Sequence, residues 1–251
     1  MQSQDGIVAP DQVTSIRHVG INRGVEWIGS GFNLFMKKPA ELIIAGLILF
    51  VVSLILNFVP IIGSGLATMA GVVAAGVFMR ACQAIEEGND PIAAGKVAAA
   101  ATPLYILGLI AAGLGVAIAL LGWVFISMAI AAAFFSPFAA VGMAGLTGIL
   151  MMLISIPLIM ALWLAPGLVI MKGTQPLDAV RLSFVASMKN FLPFIIFYIL
   201  AAIASFIGAM LLGLGLIFVY PVLLCAAYVA YKDIFGTVTS GEAVGYIQQA
   251  P

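Results

Sequence analysis

The residues that could do chemistry are few and scattered. His18 is the only histidine and stands in a polar N-terminal stretch, so a His-based metal site or catalytic triad has no partners at hand. Cys82 and Cys225 lie in separate apolar runs and form no redox or zinc spacing. Met151-Met152 have no Cys or His beside them, which makes packing their role and not copper handling. Glu86-Glu87-Gly88-Asn89-Asp90 reads as a solvated loop, with Asp90 capping a helix that starts at Pro91. No glycine loop carries the Lys-Ser/Thr that a phosphate cradle needs. No catalytic, cofactor-binding or metal site is expected, no cofactor is implied, and the chain is not expected to be an enzyme. Four residues are candidates for contact with a lipid headgroup or a partner. Arg80 is the one charge near the interior of an apolar run, placed to snorkel. Arg181 and Lys189 stand on a short amphipathic stretch, and Trp27 suits a membrane interface.

The elements that must position these residues follow from composition. Of 251 residues, 64% are hydrophobic and only 8% charged, against about 25% charged in a soluble domain. That excludes a soluble enzyme, a nucleic-acid binder and a disordered chain. It predicts an all-α, polytopic transmembrane bundle of about six helices in contact with membrane lipids. Charge is absent from residues 42–79, 97–171 and 190–231. The first and third runs each fit two spans joined by a turn, because a helix crosses the ~30 Å hydrocarbon core with about 20 residues. The middle run fits two spans with residues left over.

Turns fall at Phe58 to Gly65, at Phe134-Phe135-Ser136-Pro137-Phe138 and at Gly213-Leu214-Gly215, where Pro and Gly interrupt a helix. Spans are expected near 42–59, 66–85, 104–128, 139–163, 192–212 and 215–232. Pro157 and Pro221 fall within spans and should kink them. An even number of spans puts both termini on one side. All ten Lys and Arg lie on that side, so the positive-inside rule predicts a bacterial inner-membrane protein with cytoplasmic N- and C-termini. The first 40 residues hold no signal-peptide core, so the first span is expected to act as an uncleaved anchor.

Each apolar pair is preceded by a short amphipathic stretch: about 24–38, 91–101 and 176–189. The apolar stripes read as Val25, Ile28, Phe32 and Phe35 in the first, and as Leu177, Val180, Phe184 and Met188 in the third. Asp178 and Arg181 are spaced for a weak i,i+3 pair. Segments Phe32 to Lys38 and Phe184 to Asn190 align, which suggests three parallel units of interfacial helix plus hairpin. The expected organisation is a flexible cytoplasmic N-terminus (1–20), a membrane domain (21–235) with hairpins at about 42–85, 104–163 and 192–232, and a cytoplasmic tail (236–251). These surface helices either lie on lipid or close the cytoplasmic mouth of the bundle. Helix packing in lipid favours small residues four apart. Two such stripes are Gly63, Ala67, Gly71, Ala75 and Ala201, Ser205, Ala209, Gly213; Ser136, Ala140, Ala144 and Gly148 form another. They suit a bundle interface or a homo-oligomer seam.

Several motifs carry a resemblance: Gly24-Val25-Glu26-Trp27-Ile28, Ala165-Pro166-Gly167-Leu168-Val169, Pro176-Leu177-Asp178-Ala179-Val180-Arg181 and Tyr228-Val229-Ala230-Tyr231-Lys232-Asp233-Ile234-Phe235. Over residues 20–236 the chain resembles a family of uncharacterised proteobacterial inner-membrane proteins with about six spans. Its layout is also similar to the membrane domain of some glycerophosphodiester phosphodiesterases, without their hydrolase domain. The resemblance implies an inner-membrane location and transfers no catalytic residue. The thin in-span polar set favours a non-enzymatic scaffold or accessory subunit that binds another membrane protein. The alternative is a permease or lipid-handling protein for an uncharged or amphipathic substrate. A cavity reaching the bundle interior would favour the second. A membrane enzyme would need Arg80, Glu86, Asp178 and Arg181 to converge on one pocket.

Overall fold

The computed structural model describes residues 16–59, 62–210 and 213–236. The expected segments at 1–15 and 237–251, and Pro60 in the first turn, lie outside the described residues. The described residues form an all-α bundle with ten helices: α1 (Arg23–Phe35), α2 (Pro39–Asn57), α3 (Ile62–Glu86), α4 (Pro91–Ala99), α5 (Thr102–Ala133), α6 (Pro137–Trp163), α7 (Ala165–Lys172), α8 (Pro176–Lys189), α9 (Phe191–Met210) and α10 (Leu216–Phe235). Six helical segments are long and apolar enough to cross a membrane: α2, α3, α5, α6 continued by α7, α9 and α10. The chain is a multi-pass integral membrane protein.

Local chemistry sets the helix starts. Pro opens α2, α4, α5, α6, α7 and α8 in the first turn, where its missing N–H costs nothing. Asp90 caps α4, its Oδ1 accepting from Ile92 N at 2.9 Å. Ser136 caps α6 through Ala139 N. Gly213 takes φ +77° in the turn between α9 and α10, a conformation costly for other residues.

The three hairpins, α2–α3, α5–α6 and α9–α10, form a ring, and the second and third surface helices each pack on the hairpin that precedes them. Helix α4 lies on α3, and α8 on α6 and α7. Helix α1 reaches across to α9 and α10, closing the ring from the N-terminal side. The seam between hairpins one and two is α3 on α5, and that between three and one is α10 on α2. Between hairpins two and three, α6 and α9 do not pack closely along their length: α9 rests on α1 and α10. The main core is gathered at the charged end, where α3, α7 and α10 bury Met79, Cys82, Leu168, Ile170, Cys225 and Tyr231.

The surface helices turn most of their apolar stripe away from the bundle, the lipid-facing alternative, and bury mainly small residues. In α1 the buried residues are Gly24, Trp27, Gly31, Leu34 and Phe35, while Val25 and Phe32 are exposed. In α8 they are Pro176, Ala179, Ser183, Ala186 and Ser187, while Leu177, Phe184 and Met188 are exposed. Small residues allow close approach: a Cβ on Gly31 would stand 2.6 Å from Ala226 N. Large apolar side chains gain nothing by leaving lipid for protein. So α1 and α8 carry two working faces, a small-residue one on the bundle and a bulky apolar one pointing away.

The in-span prolines do not break their helices; α6 runs through Pro157 and α10 through Pro221. The real interruption is at Leu164, between α6 and α7. There Leu164 N donates to Ser183 Oγ at 3.1 Å, and Ser183 Oγ donates to Met160 O at 2.9 Å. A hydroxyl from α8 is thus inserted into an i→i−4 ladder, one recognised cause of a helix break. Ser187 Oγ adds a second bond to Met160 O at 3.1 Å.

Candidate functional site

The charged end is a network that ties elements together. Asp233 Oδ2 accepts from Trp27 Nε1 at 2.6 Å and from Arg23 Nε at 2.9 Å, joining α1 to α10. Hydrogen bonding to Asp233 holds the Arg23 guanidinium above its usual range. Glu86 accepts from Tyr228 Oη at 2.7 Å and pairs with Lys232, joining α3 to α10. Lys172 Nζ donates to Phe235 O at 2.8 Å. Asn190 Oδ1 accepts from Val19 N, and its Nδ2 donates to Arg17 O.

Two of the four contact candidates are therefore structural. Trp27 is fully buried, its ring against Phe194 and Phe197 and its N–H on Asp233. Arg80 does not snorkel: it is 3% exposed and donates to Gln83 Oε1 at 2.8 Å, one turn along α3. A polar neighbour on its own helix lets the guanidinium stay inside. Arg181 and Lys189 are exposed on α8, with Arg181 3.8 Å from Asp178 as the spacing predicts. Arg80, Glu86 and the Asp178–Arg181 pair thus have separate partners. Among the described residues no three His, Cys, Asp or Glu side chains converge as metal ligands do.

The small-residue stripes also sit differently. Gly63 packs within its own hairpin, on Leu56. Ala209 is exposed, and Gly213 is a turn residue with open space around it. A Cβ on Gly71 would likewise meet open space. Gly71, Ala75, Ala201 and Ser205 instead border a cavity. The packing seam of α3 runs one face over, where Gly65 meets Val116 and Gly76 meets Leu104.

That cavity, about 690 Å³, is the candidate site. It lies at the unsealed seam, between α6 and α9, with α3, α5 and α10 behind. Among the described residues no Lys, Arg, Asp, Glu, His or Cys lines it. Its polar groups are hydroxyls, Thr68, Ser155, Tyr198, Ser205 and Tyr220, and the indole of Trp163. Trp163 Nε1 and Tyr198 Oη are buried without a hydrogen-bond partner. Such groups cost roughly 1–3 kcal/mol each when left unmade, and unpaired ones are a pointer to an occupant. The two rings touch, centroids 5.2 Å apart, and Trp163 also meets Phe197 at 4.9 Å. With Phe194 and Trp27 they form an aromatic floor that closes the cavity toward the charged end. Beyond these rings α6 and α9 make few contacts, and exposed Ala202, Ile159 and Tyr220 mark the rim.

The sequence hints at this site through the Gly71/Ala75 and Ala201/Ser205 spacings, which read equally as packing stripes. Trp163 and Tyr198 carry no pattern that singles them out. Comparisons with protein-family models, curated proteins and solved structures give no match for this chain. Fold and site together define its class: an all-α, multi-pass membrane protein with an uncharged intramembrane cavity.

Proposed function

We propose that this protein is a lipid-handling protein that takes an uncharged or amphipathic molecule from the bilayer through the α6/α9 opening. The observation that carries the reading is the pair of unpaired donors, Trp163 N–H and Tyr198 O–H, in an apolar cavity with no counter-charge. A ligand that supplies acceptor oxygens, such as the ester carbonyls of an acylglycerol, would satisfy both and place its chains against the aliphatic wall. A charged headgroup would find no partner there. The aromatic floor favours loading from lipid over loading from the charged end. Binding and transfer rank above catalysis, because no carboxylate, imidazole or thiol lines the cavity. The charged end is assigned to the cytoplasm of a bacterial inner membrane. The ten cations on one side and the six-span resemblance support this.

The test is lipid analysis of protein purified in mild detergent. Native mass spectrometry of the wild type should show a retained lipid with an uncharged headgroup, such as a diacylglycerol. The Trp163→Phe/Tyr198→Phe double variant should lose it while remaining folded. A lipid profile identical in both proteins would sink the proposal. A scaffold or accessory-subunit role, with another membrane protein or a second copy as partner, is the second reading. It is supported by open space around Gly142, Gly145 and Gly148 on exposed α6. A stoichiometric partner recovered with an empty cavity would favour it.

A further inference from the structure

Cys82 and Cys225 are 143 residues apart in sequence, yet their sulfurs stand 2.8 Å apart. Both are free thiols, fully buried, on α3 and α10. A disulfide needs about 2.05 Å between sulfurs, so the two are within an ångström of bonding distance. The facing helices already pack on each other. The pair is a dithiol waiting for an oxidant, at a seam that the Glu86–Lys232 and Glu86–Tyr228 contacts hold in register.

We propose that Cys82 and Cys225 are an intramolecular oxidation site that closes a disulfide between the first and third hairpins. The oxidant class is a small neutral peroxide. One sulfur takes a hydroxyl from hydrogen peroxide, releasing a first water and becoming a sulfenic acid. The second sulfur displaces that hydroxyl, releasing a second water and forming the S–S bond. Two thiols and one peroxide thus give one disulfide and two waters, with the peroxide reduced. Neither sulfur lines the intramembrane cavity, but Met79, one turn before Cys82, and Leu224, next to Cys225, do, so displacement of these two side chains is the path by which a small peroxide reaches the pair. Burial that admits a small peroxide excludes glutathione and thioredoxin, so the bond would outlast the cytosolic reducing pool once formed. Closure fixes the seam behind the cavity without touching its opening. The sulfur pair rests on the α3/α10 contact and not on the proposed ligand, while the oxidant shares the cavity as its path.

The experiment oxidises membranes containing the full chain with hydrogen peroxide. Remaining thiols are then blocked with N-ethylmaleimide under denaturing conditions, and the products are separated on a non-reducing gel and peptide-mapped. The expected result is a faster-migrating monomer that reverts with dithiothreitol, and a linked peptide pair containing Cys82 and Cys225. Both features should be absent from Cys82→Ser and from Cys225→Ser. Two alkylated thiols after peroxide treatment would overturn the proposal, as would a disulfide-linked dimer in place of the compact monomer. Should the serine variants fold poorly, Cys82→Ala and Cys225→Ala serve, and the wild-type peptide map decides by itself.

Discussion

Hairpin two meets hairpin one along α3 and α5, and faces hairpin three along α6 and α9. In the first seam glycines let the helices close. A Cβ on Gly108 would sit 2.9 Å from Met69 Cγ, and one on Gly65 would sit 2.7 Å from Val116 Cγ2. The seam between α10 and α2 follows suit, with Gly46 against Pro221. In the α6/α9 seam the facing residues include Trp163 and Tyr198, whose rings touch and prop the helices apart. The difference teaches how a cavity is made in a membrane. Lipid gives no hydrophobic push between helices, so a seam closes only where side chains are small enough for close packing. Where bulky aromatics stand, a wedge of space remains beyond them.

The strongest test of this contrast is to overpack the closed seam. Gly108→Val should destabilise by roughly 3 kcal/mol, read as a lower Tm in detergent, because backbone and Met69 both crowd the new side chain. The same change at Gly71, on the cavity side of the partner helix α3, meets nothing within 4 Å. Gly71→Val should therefore keep its Tm near wild type and lower the amount of retained lipid. Equal destabilisation by both would mean that the closed α3/α5 seam and the cavity face of α3 do not differ as described. Next comes the broken helix beside the opening. Ser183→Ala leaves Leu164 N–H without its acceptor and should cost about 1–2 kcal/mol, with lipid retention falling as Trp163 loses its fixed position. The smallest expected stability effect is at the donors themselves. Trp163→Phe removes a buried N–H that has no partner, so Tm should hold, while the affinity of a bound lipid drops by about 1 kcal/mol, roughly fivefold in a competition assay.

Much of the architecture was legible because charge and proline positions mark element ends directly. The turn at Ser136-Pro137, the cap at Asp90 and the start of α8 at Pro176 are chemical signals that act locally. Spacing alone left open whether the apolar stripes of α1 and α8 meet lipid or the bundle, because spacing rules assume water as the alternative to burial. Here the alternative to protein is lipid, so Val25, Phe32 and Leu177 face away while Gly31 and Ser183 go inside. Arg80 was misplaced for a related reason: whether an arginine snorkels depends on whether Gln83 and the packed helices around it satisfy the charge, and that is a tertiary fact. The site itself was illegible. A cavity is a missing contact, and α6 and α9 each look like ordinary spans. The Cys82–Cys225 approach was hidden because it depends on hairpins one and three becoming neighbours around the ring.

The length of α5 has a consequence of its own. At 32 residues it is about 48 Å long, whereas α2, at 19 residues, is about 28 Å, close to the ~30 Å hydrocarbon core. Phe134, Phe135 and Phe138 at the far tip of hairpin two are almost fully exposed. The protein therefore offers the bilayer two hydrophobic thicknesses. Hairpins one and three match the membrane unaided, and hairpin two must tilt or draw the surrounding lipid into a thicker collar. The step between the two falls where 27-residue α6 faces 20-residue α9, at the mouth of the cavity. A bilayer that follows both lengths must change thickness at that mouth, where the cavity opens.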